Sequence, residues 1–303
     1  MLPMLRKQRQ RRTSGPLLLL CLMALALPVS AEDNPLVGKL WSPEQQRFID
    51  WPEFYAELPK GGWLLIGEQH DNPDHHHFQA ELISALGEQQ RLGAVALEMA
   101  SRDKQPLFDQ LFTANEPPTP QALDWQDGWP WSLYQAPVEA AFKWSQSVLA
   151  ADISRETMSQ VYRDKAPDGE LEPAHADFMR DLLFESHCGQ LPRSQLDPMR
   201  QVQLARDQSI ARVLRNHTST DRTGILLTGS IHARKDLGVP RWLDATPSLT
   251  LILQAVEEND QAHGDDPGSY EPESFGNLAT VDLILFTPAR ENPDYCAQMN
   301  EKS

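Results

Sequence analysis

Six short apolar runs recur along the chain, each giving way to glycine or polar residues: Trp63–Ile66, Ala94–Leu97, Val148–Ala151, Ile225–Leu227, Leu249–Leu253 and Val281–Phe286. Their hydrophobicity is nearly continuous and does not alternate. A strand that is apolar on both faces must be covered on both, which is the condition of a central parallel strand between helical layers. Stretches of helical character separate the runs. The best marked lies between the first two, where Asp71 or Asn72 caps the helix and Pro73 suits its first turn. Phe78, Leu82, Ile83 and Leu86 form its buried stripe. Strand–helix–strand order predicts an α/β fold, a mostly parallel central sheet flanked by helices with right-handed crossovers.

Two regions break this rhythm. Residues 115–137 are dense in proline and carry Trp125, Trp129, Trp131 and Tyr134. From about 155 to 217 the reading is helical with no strand-like run, which predicts a helical insertion, or lid, between the third and fourth core strands. The acidic stretch Glu257–Glu273, rich in Asp, Gly and Pro, reads as an exposed loop. No repeat at solenoid spacing is present.

The amino terminus reads as an address. Arg6, Lys7, Arg9, Arg11 and Arg12 precede an 11-residue apolar run, Leu17–Leu27, and then Pro28-Val29-Ser30-Ala31. A membrane span needs roughly 20 apolar residues. The expectation is therefore a signal peptide over residues 1–31 cleaved after Ala31, export to a periplasm, and one mature α/β domain over residues 32–303. Arg11-Arg12 raises a twin-arginine route in a poor context, and Leu18-Leu19-Leu20 before Cys21 argues against lipidation. The whole chain has a formal net charge of −16; without those five basic groups it is −21. Such a chain is repelled by nucleic acid and anionic lipid, which require clustered positive charge. Cys188 and Cys296 remain after cleavage, either as free buried thiols or as one disulfide. In an oxidising compartment a bridge closing so long a loop contributes about 4–5 kcal/mol in the chain-entropy treatment.

Candidate chemistry gathers at the ends of the runs. Gly67-Glu68-Gln69-His70-Asp71 follows the first, and residues two apart on an extended chain share a face, so Glu68 and His70 point together. Glu98 ends the second run and Asp152 the third. The fourth ends in Gly229-Ser230-Ile231-His232, the same Gly-x-x-His spacing. A carboxylate in an apolar strand must find a partner or lose several kcal/mol to desolvation. Carboxyl ends of parallel strands are also where ligands bind. Glu68, His70, Glu98 and His232 are thus candidate metal ligands or catalytic acid–base groups, or structural hydrogen-bonding residues. Further candidates are His76, expected to point inward, and His77, expected to face solvent near Glu81. Gln203, Arg206 and Asp207 share one helix stripe, as a surface ion pair or as the lid's contribution to a pocket. The Trp125–Tyr134 aromatics form either the core of their segment or the wall of a flat-cofactor site.

In combination these residues resemble the ChaN family, haem-binding uptake proteins of the Tiki superfamily. The resemblance rests on Gly67 through His76, Leu97-Glu98-Met99, Gly128-Trp129 with Tyr134, Gln203-x-x-Arg206-Asp207 and Gly229-x-x-His232, and runs over roughly residues 36–296. It implies an α/β core with a helical insertion and haem as ligand. It also implies a possible homodimer around paired haems and a haem receptor or transport system as partner. Tyr134, Trp129, Arg206 and His76 are the expected haem contacts, with Tyr134 as the first axial ligand to test. Arg155, Arg206, Arg234 or Lys235 would serve the propionates. His187-Cys188-Gly189 and Asp294-Tyr295-Cys296 resemble the family's cysteine-bearing segments, which favours the Cys188–Cys296 disulfide. Superfamily relatives linked to hydrolysis imply an alternative: a divalent-metal-dependent hydrolase using Glu68, His70, Glu98 and His232.

Overall fold

The computed structural model describes residues 34–164, 172–257 and 263–289. A short hairpin, β1 (Leu40–Ser42) and β2 (Arg47–Ile49), leads into helix α1 (Trp51–Glu57). All six apolar runs are strands: β3 (Gly62–Glu68), β4 (Leu92–Ser101), β5 (Val148–Asp152), β6 (Thr223–Gly229), β7 (Ser248–Val256) and β8 (Leu283–Pro288). They form one eight-stranded sheet in the order β2-β1-β8-β7-β3-β6-β4-β5. Every pair from β8 to β5 is parallel. The antiparallel hairpin at one edge is too short to leave a periodic signal in the sequence.

Every residue of β3, β4, β5 and β6 is buried, as continuous apolar runs require. Alternate side chains of β3 serve opposite layers. Leu64 and Ile66 join a cluster with α2 (Pro73–Glu88), α3 (Gln105–Ala114) and α4 (Trp131–Trp144). Trp63 and Leu65 face the other way, toward Ile210 and Leu214 of α7 (Arg193–Asn216). Trp63 donates from Nε1 to the Leu214 carbonyl at 3.1 Å, which satisfies the indole where it is fully buried. Helix α2 starts as the sequence indicates, although Asn72 is the cap and not Asp71: its side chain accepts from the Asp74 amide. The edge of β5 is covered by the amide of Gln105, which donates to the Val148 carbonyl and accepts from the Ala150 amide. Those backbone groups would otherwise template pairing with another chain.

Between β5 and β6 run α5 (Arg155–Asp164), α6 (Pro173–Ser186) and α7. The described part of this segment is helical throughout, but α7 is more than an insertion: its carboxyl half is one covering layer of the sheet. The acidic stretch also differs from a plain exposed loop. Tyr270 is buried against Phe286 of β8, and Glu271 accepts from the indole of Trp41 on β1, so this part of the stretch packs on the sheet. Cys188 follows α6 in the left-handed region (φ 57°) and is disulfide-bonded; Cys296 lies outside the described residues, as does the expected signal peptide. The four-residue helix α8 (Ser230–Ala233) begins directly at the end of β6.

Candidate functional site

Parallel pairing carries the strand-end residues to one edge. Glu68, the last residue of β3, lies in register with Gly229, the last of β6, and the Gly229 amide donates to Glu98 Oε2 at 2.7 Å. Three strands are thereby joined at their carboxyl ends. The side chains sort into two connected halves.

In the first half Glu68 is a buried hub, 2% exposed. Its Oε1 accepts from the Tyr134 hydroxyl at 2.7 Å and lies 3.0 Å from His70 Nδ1; its Oε2 accepts from the Gln79 amide and lies 3.4 Å from His76 Nδ1. His76 holds the turn by reaching the His70 carbonyl from Nε2, 3.0 Å away. The His70 imidazole is 42% exposed, and its ring meets the edge of Trp129 at 4.8 Å. A Cβ on Gly229 would stand 2.7 Å from His70 Nε2, so glycine there is what lets the ring lie across the end of β6.

The second half is an ion-pair network. Arg206 on α7 donates from Nη2 to Glu98 Oε1 at 2.6 Å and from Nε to both oxygens of Asp152. Glu98 Oε2 also accepts from Thr228 Oγ1 at 2.5 Å. His232 bonds Asp207 through Nδ1 at 2.6 Å and places Nε2 3.6 Å from Glu98 Oε1. The shared helix stripe of Arg206 and Asp207 is thus an inward-facing pair of anchors rather than a surface ion pair.

Charge follows from this geometry. Burial alone would raise the Glu98 carboxyl, but His232, Arg206 and His70 overcome it and hold Glu98 well below the ordinary carboxylate range. Burial disfavours charge on His70 and His232. Glu68 and Glu98 outweigh it for the first, and Glu98 and Asp207 for the second, so both imidazoles titrate above the usual histidine value. Burial, reinforced by Glu68, drives the Tyr134 phenol far up and keeps it protonated.

These arrangements correct several expectations. Tyr134 is fully buried, its hydroxyl is committed to Glu68, and it has no face for an iron. His76 is equally enclosed, and Arg206 is spent on two carboxylates. Arg234 is buried against Asp236, and Lys235 pairs with Asp282, so neither is a free propionate partner. Trp129 packs edge-on against both His70 and Tyr134, as part of the wall over Glu68. The expected metal quartet divides between the two halves. Both oxygens of Glu98 are taken by Arg206, Thr228 and Gly229, and no group of three or more His, Cys, Asp or Glu among the described residues is arranged to hold a metal ion. His77 pairs with Glu81 at the surface as expected. Replacing Tyr134 with phenylalanine should cost about 1–3 kcal/mol of stability, because Glu68 loses a donor in a place water does not reach. Urea denaturation measures this, and an unchanged midpoint would count against Glu68 as the hub.

A different feature was not legible as a site in the sequence. Between α5 and α7 runs an apolar groove of about 490 Å³, lined by Met158, Tyr162, Arg163, Met199, Val202 and Gln203. Tyr162 is 38% exposed, one of few large hydrophobic side chains left so open among the described residues. Met158 and Tyr162 stand one turn apart on the strongly amphipathic α5. That periodicity by itself cannot distinguish a groove from a buried face.

Among structures, ChaN of Campylobacter jejuni, described with cofacial haem binding, superposes with a TM-score of 0.64 at 23% identity, covering 81% of this chain and 95% of that one. The erythromycin esterase EreC, as a mutant in its open conformation, has a TM-score of 0.43 at 13% identity over 72% of this chain and 77% of its own. A succinoglycan biosynthesis protein gives 0.43 at 11% identity over 75% and 88%. The first likeness shows the fold; the other two are too distant to carry an argument. No curated protein matches by sequence. Residues 54–243, well over half of the chain, match the profile described as haem-binding uptake, Tiki superfamily, ChaN, and the chain belongs to that family.

Proposed function

We propose that this protein binds haem for uptake, and that the haem rests in the groove between α5 and α7 with the Tyr162 phenol facing the iron. Family membership supports the ligand. The observation that carries the seat is the groove itself. It offers apolar walls from Met158, Met199 and Val202 and an accessible phenol, the combination a flat, largely apolar ligand with a tyrosine-binding iron requires. The Glu68–Tyr134 hub does not fit that role, because its phenol is buried and bonded. Bound haem would be cargo, its iron held for transfer.

Hemin titration of the mature protein is expected to give a shifted Soret band. Tyr162→Ala should weaken binding at least about tenfold, equivalent to about 1.4 kcal/mol, while Tyr134→Phe leaves the spectrum unchanged. No Soret shift in the wild type would end the reading, and a shift sensitive only to Tyr134 would move the seat to the sheet edge.

The wider setting is proposed on the same footing. The Arg6–Ala31 segment supports export and cleavage to a periplasmic form, in which Cys188 pairs with Cys296, α5 and α6 act as a lid, and a second copy or a haem receptor takes part in transfer. A metal-dependent hydrolase is less well supported, because the carboxylate it needs most, Glu98, is already saturated by Arg206 and two hydrogen-bond donors.

A further inference from the structure

Helix α7 serves two hollows. Met199, Val202 and Gln203 line the groove described above, whereas Ala205, Gln208, Ser209 and Arg212 stand at spacings of three and four along a second stripe. That stripe borders a separate hollow of about 300 Å³, and the two hollows have no lining residue in common. Arg102 and Ile153, the first residues beyond β4 and β5, line it as well, so it lies at the carboxyl ends of these parallel strands, where ligands bind. Its charge runs against that of the chain. In a protein with a formal net charge of −16, two guanidinium groups share this hollow with a single carboxylate, Asp103. Neither Arg102 nor Arg212 has an ion-pair partner among the described residues, although Arg206 nearby is matched by Glu98 and Asp152, and Lys104 by Asp124. The adjoining hollow of about 550 Å³ has the opposite character: Asp103, Asp124, Asp127 and Glu156 outnumber Lys104 and Arg155 there. Positive charge is thus concentrated on one side of Asp103. Neutral donors complete that side. The hydroxyls of Ser154 and Thr157, 3.0 Å apart, share one hydrogen bond, which leaves the second of their two protons for another acceptor.

From this juxtaposition we infer that the hollow binds the phosphate group of a small phosphomonoester. Arg102 and Arg212 take its two negative charges, the Ser154–Thr157 pair donates a further hydrogen bond, and Ile153, Val161 and Ala205 wall its short carbon chain. One guanidinium fork fills a lone carboxylate, whereas a tetrahedral oxyanion accepts from several directions at once, as donors after β4, on α5 and on α7 require. The site is distinct from the haem groove and does not depend on that reading.

Calorimetric titration of the purified protein with glycerol 3-phosphate, inorganic phosphate and acetate tests this at about pH 7.5, where a phosphomonoester is a dianion. Both phosphates should bind and acetate should not, and burial of its carbon chain should make the ester tighter by at least about threefold. If inorganic phosphate is the tighter of the two, the free ion is the occupant of the same oxyanion site. Arg102→Gln and Arg212→Gln should each weaken binding at least about tenfold, the loss of one charge-assisted contact. Asp103→Asn should tighten it at least about twofold, because a repelling charge is gone, and a merely structural change would not raise affinity. Both arginines are exposed, so their variants should unfold in urea at the wild-type midpoint; should either fail to fold, Asp103→Asn carries the test. Absence of phosphate binding by the wild type, acetate bound as tightly as phosphate, or an affinity unmoved by all three changes overturns the inference. Failure of hemin to bind would overturn the haem reading and leave this one standing.

Discussion

Glu98→Ala should lower the unfolding free energy by about 3–5 kcal/mol, the cost of breaking a buried charge network by removing one partner. Glu98 is 1% exposed and receives Arg206, Thr228 and the Gly229 amide. Its removal leaves Arg206 with Asp152 alone and strands two donors that join β4 to β6. Glu98→Gln keeps acceptors for Thr228 and Gly229 but loses the charge opposite Arg206 and His232, so it should fall between wild type and alanine. Urea midpoints of the three proteins decide the matter. If alanine and wild type unfold within about 1 kcal/mol of each other, the network does not hold the strand ends together in the way described. The same carboxylate contributes on the acid side. Its native value is depressed, so its contribution is present above the unfolded carboxylate range and is lost as pH falls through the native value.

A second large effect is expected from His75 between pH 6.5 and 4.5. This imidazole is fully buried; its Nδ1 accepts from the Gln69 amide at 2.9 Å and its Nε2 meets Thr287 Oγ1 at 2.8 Å. Burial, with a smaller contribution from His76, lowers its pKa to about 3. The folded protein therefore keeps it neutral while the unfolded chain binds a proton below about pH 6.5. The contribution of this group must fall as pH drops below 6.5 and continue to fall until about 3, at about 1.4 kcal/mol per unit, which is about 2–3 kcal/mol by pH 4.5. His175, lowered by burial and by Arg241, acts in the same direction. His70 and His232, which titrate higher in the folded state, lose their contribution only on the alkaline side, whereas Asp152 and Asp207, raised by burial, act against His75 as pH falls, so the comparison with a His75 variant isolates its share. His75→Gln should flatten the slope of unfolding free energy against pH between 6.5 and 4.5. Parallel slopes for variant and wild type would show that another group controls acid lability.

His75 also shows where sequence reading stopped. Helical spacing turns His76 inward and His77 outward beside Glu81, and both lie so; His75 it leaves within a polar helix start. His75 and His76 turn inward to hold the Gln69–His70 turn. Helical spacing separates His76 from His77, but nothing in it shows that His75 is buried and fixes the backbone of the turn before it. Tyr134 is a similar case: a tyrosine beside several tryptophans reads equally well as a cofactor ligand or a core residue, and the hydroxyl contact to Glu68, 66 positions away, settles it as core. Tyr162 drew no attention in the sequence because its exposure depends on how far α5 stands from α7.

What the sequence determined by itself is the sheet and its edge. Six continuous apolar runs dictated six strands buried on both faces, and parallel pairing obliged Glu68, Glu98, Asp152 and His232 to arrive at the same end. Those consequences are local and periodic, so they survive in one dimension. The tertiary structure alone decided which groups were consumed and which were left open. Whether Arg206 meets Glu98 or Arg234 meets Asp236 depends on distances across the fold, and a charge is neutralised by its neighbours in space, not by those along the chain.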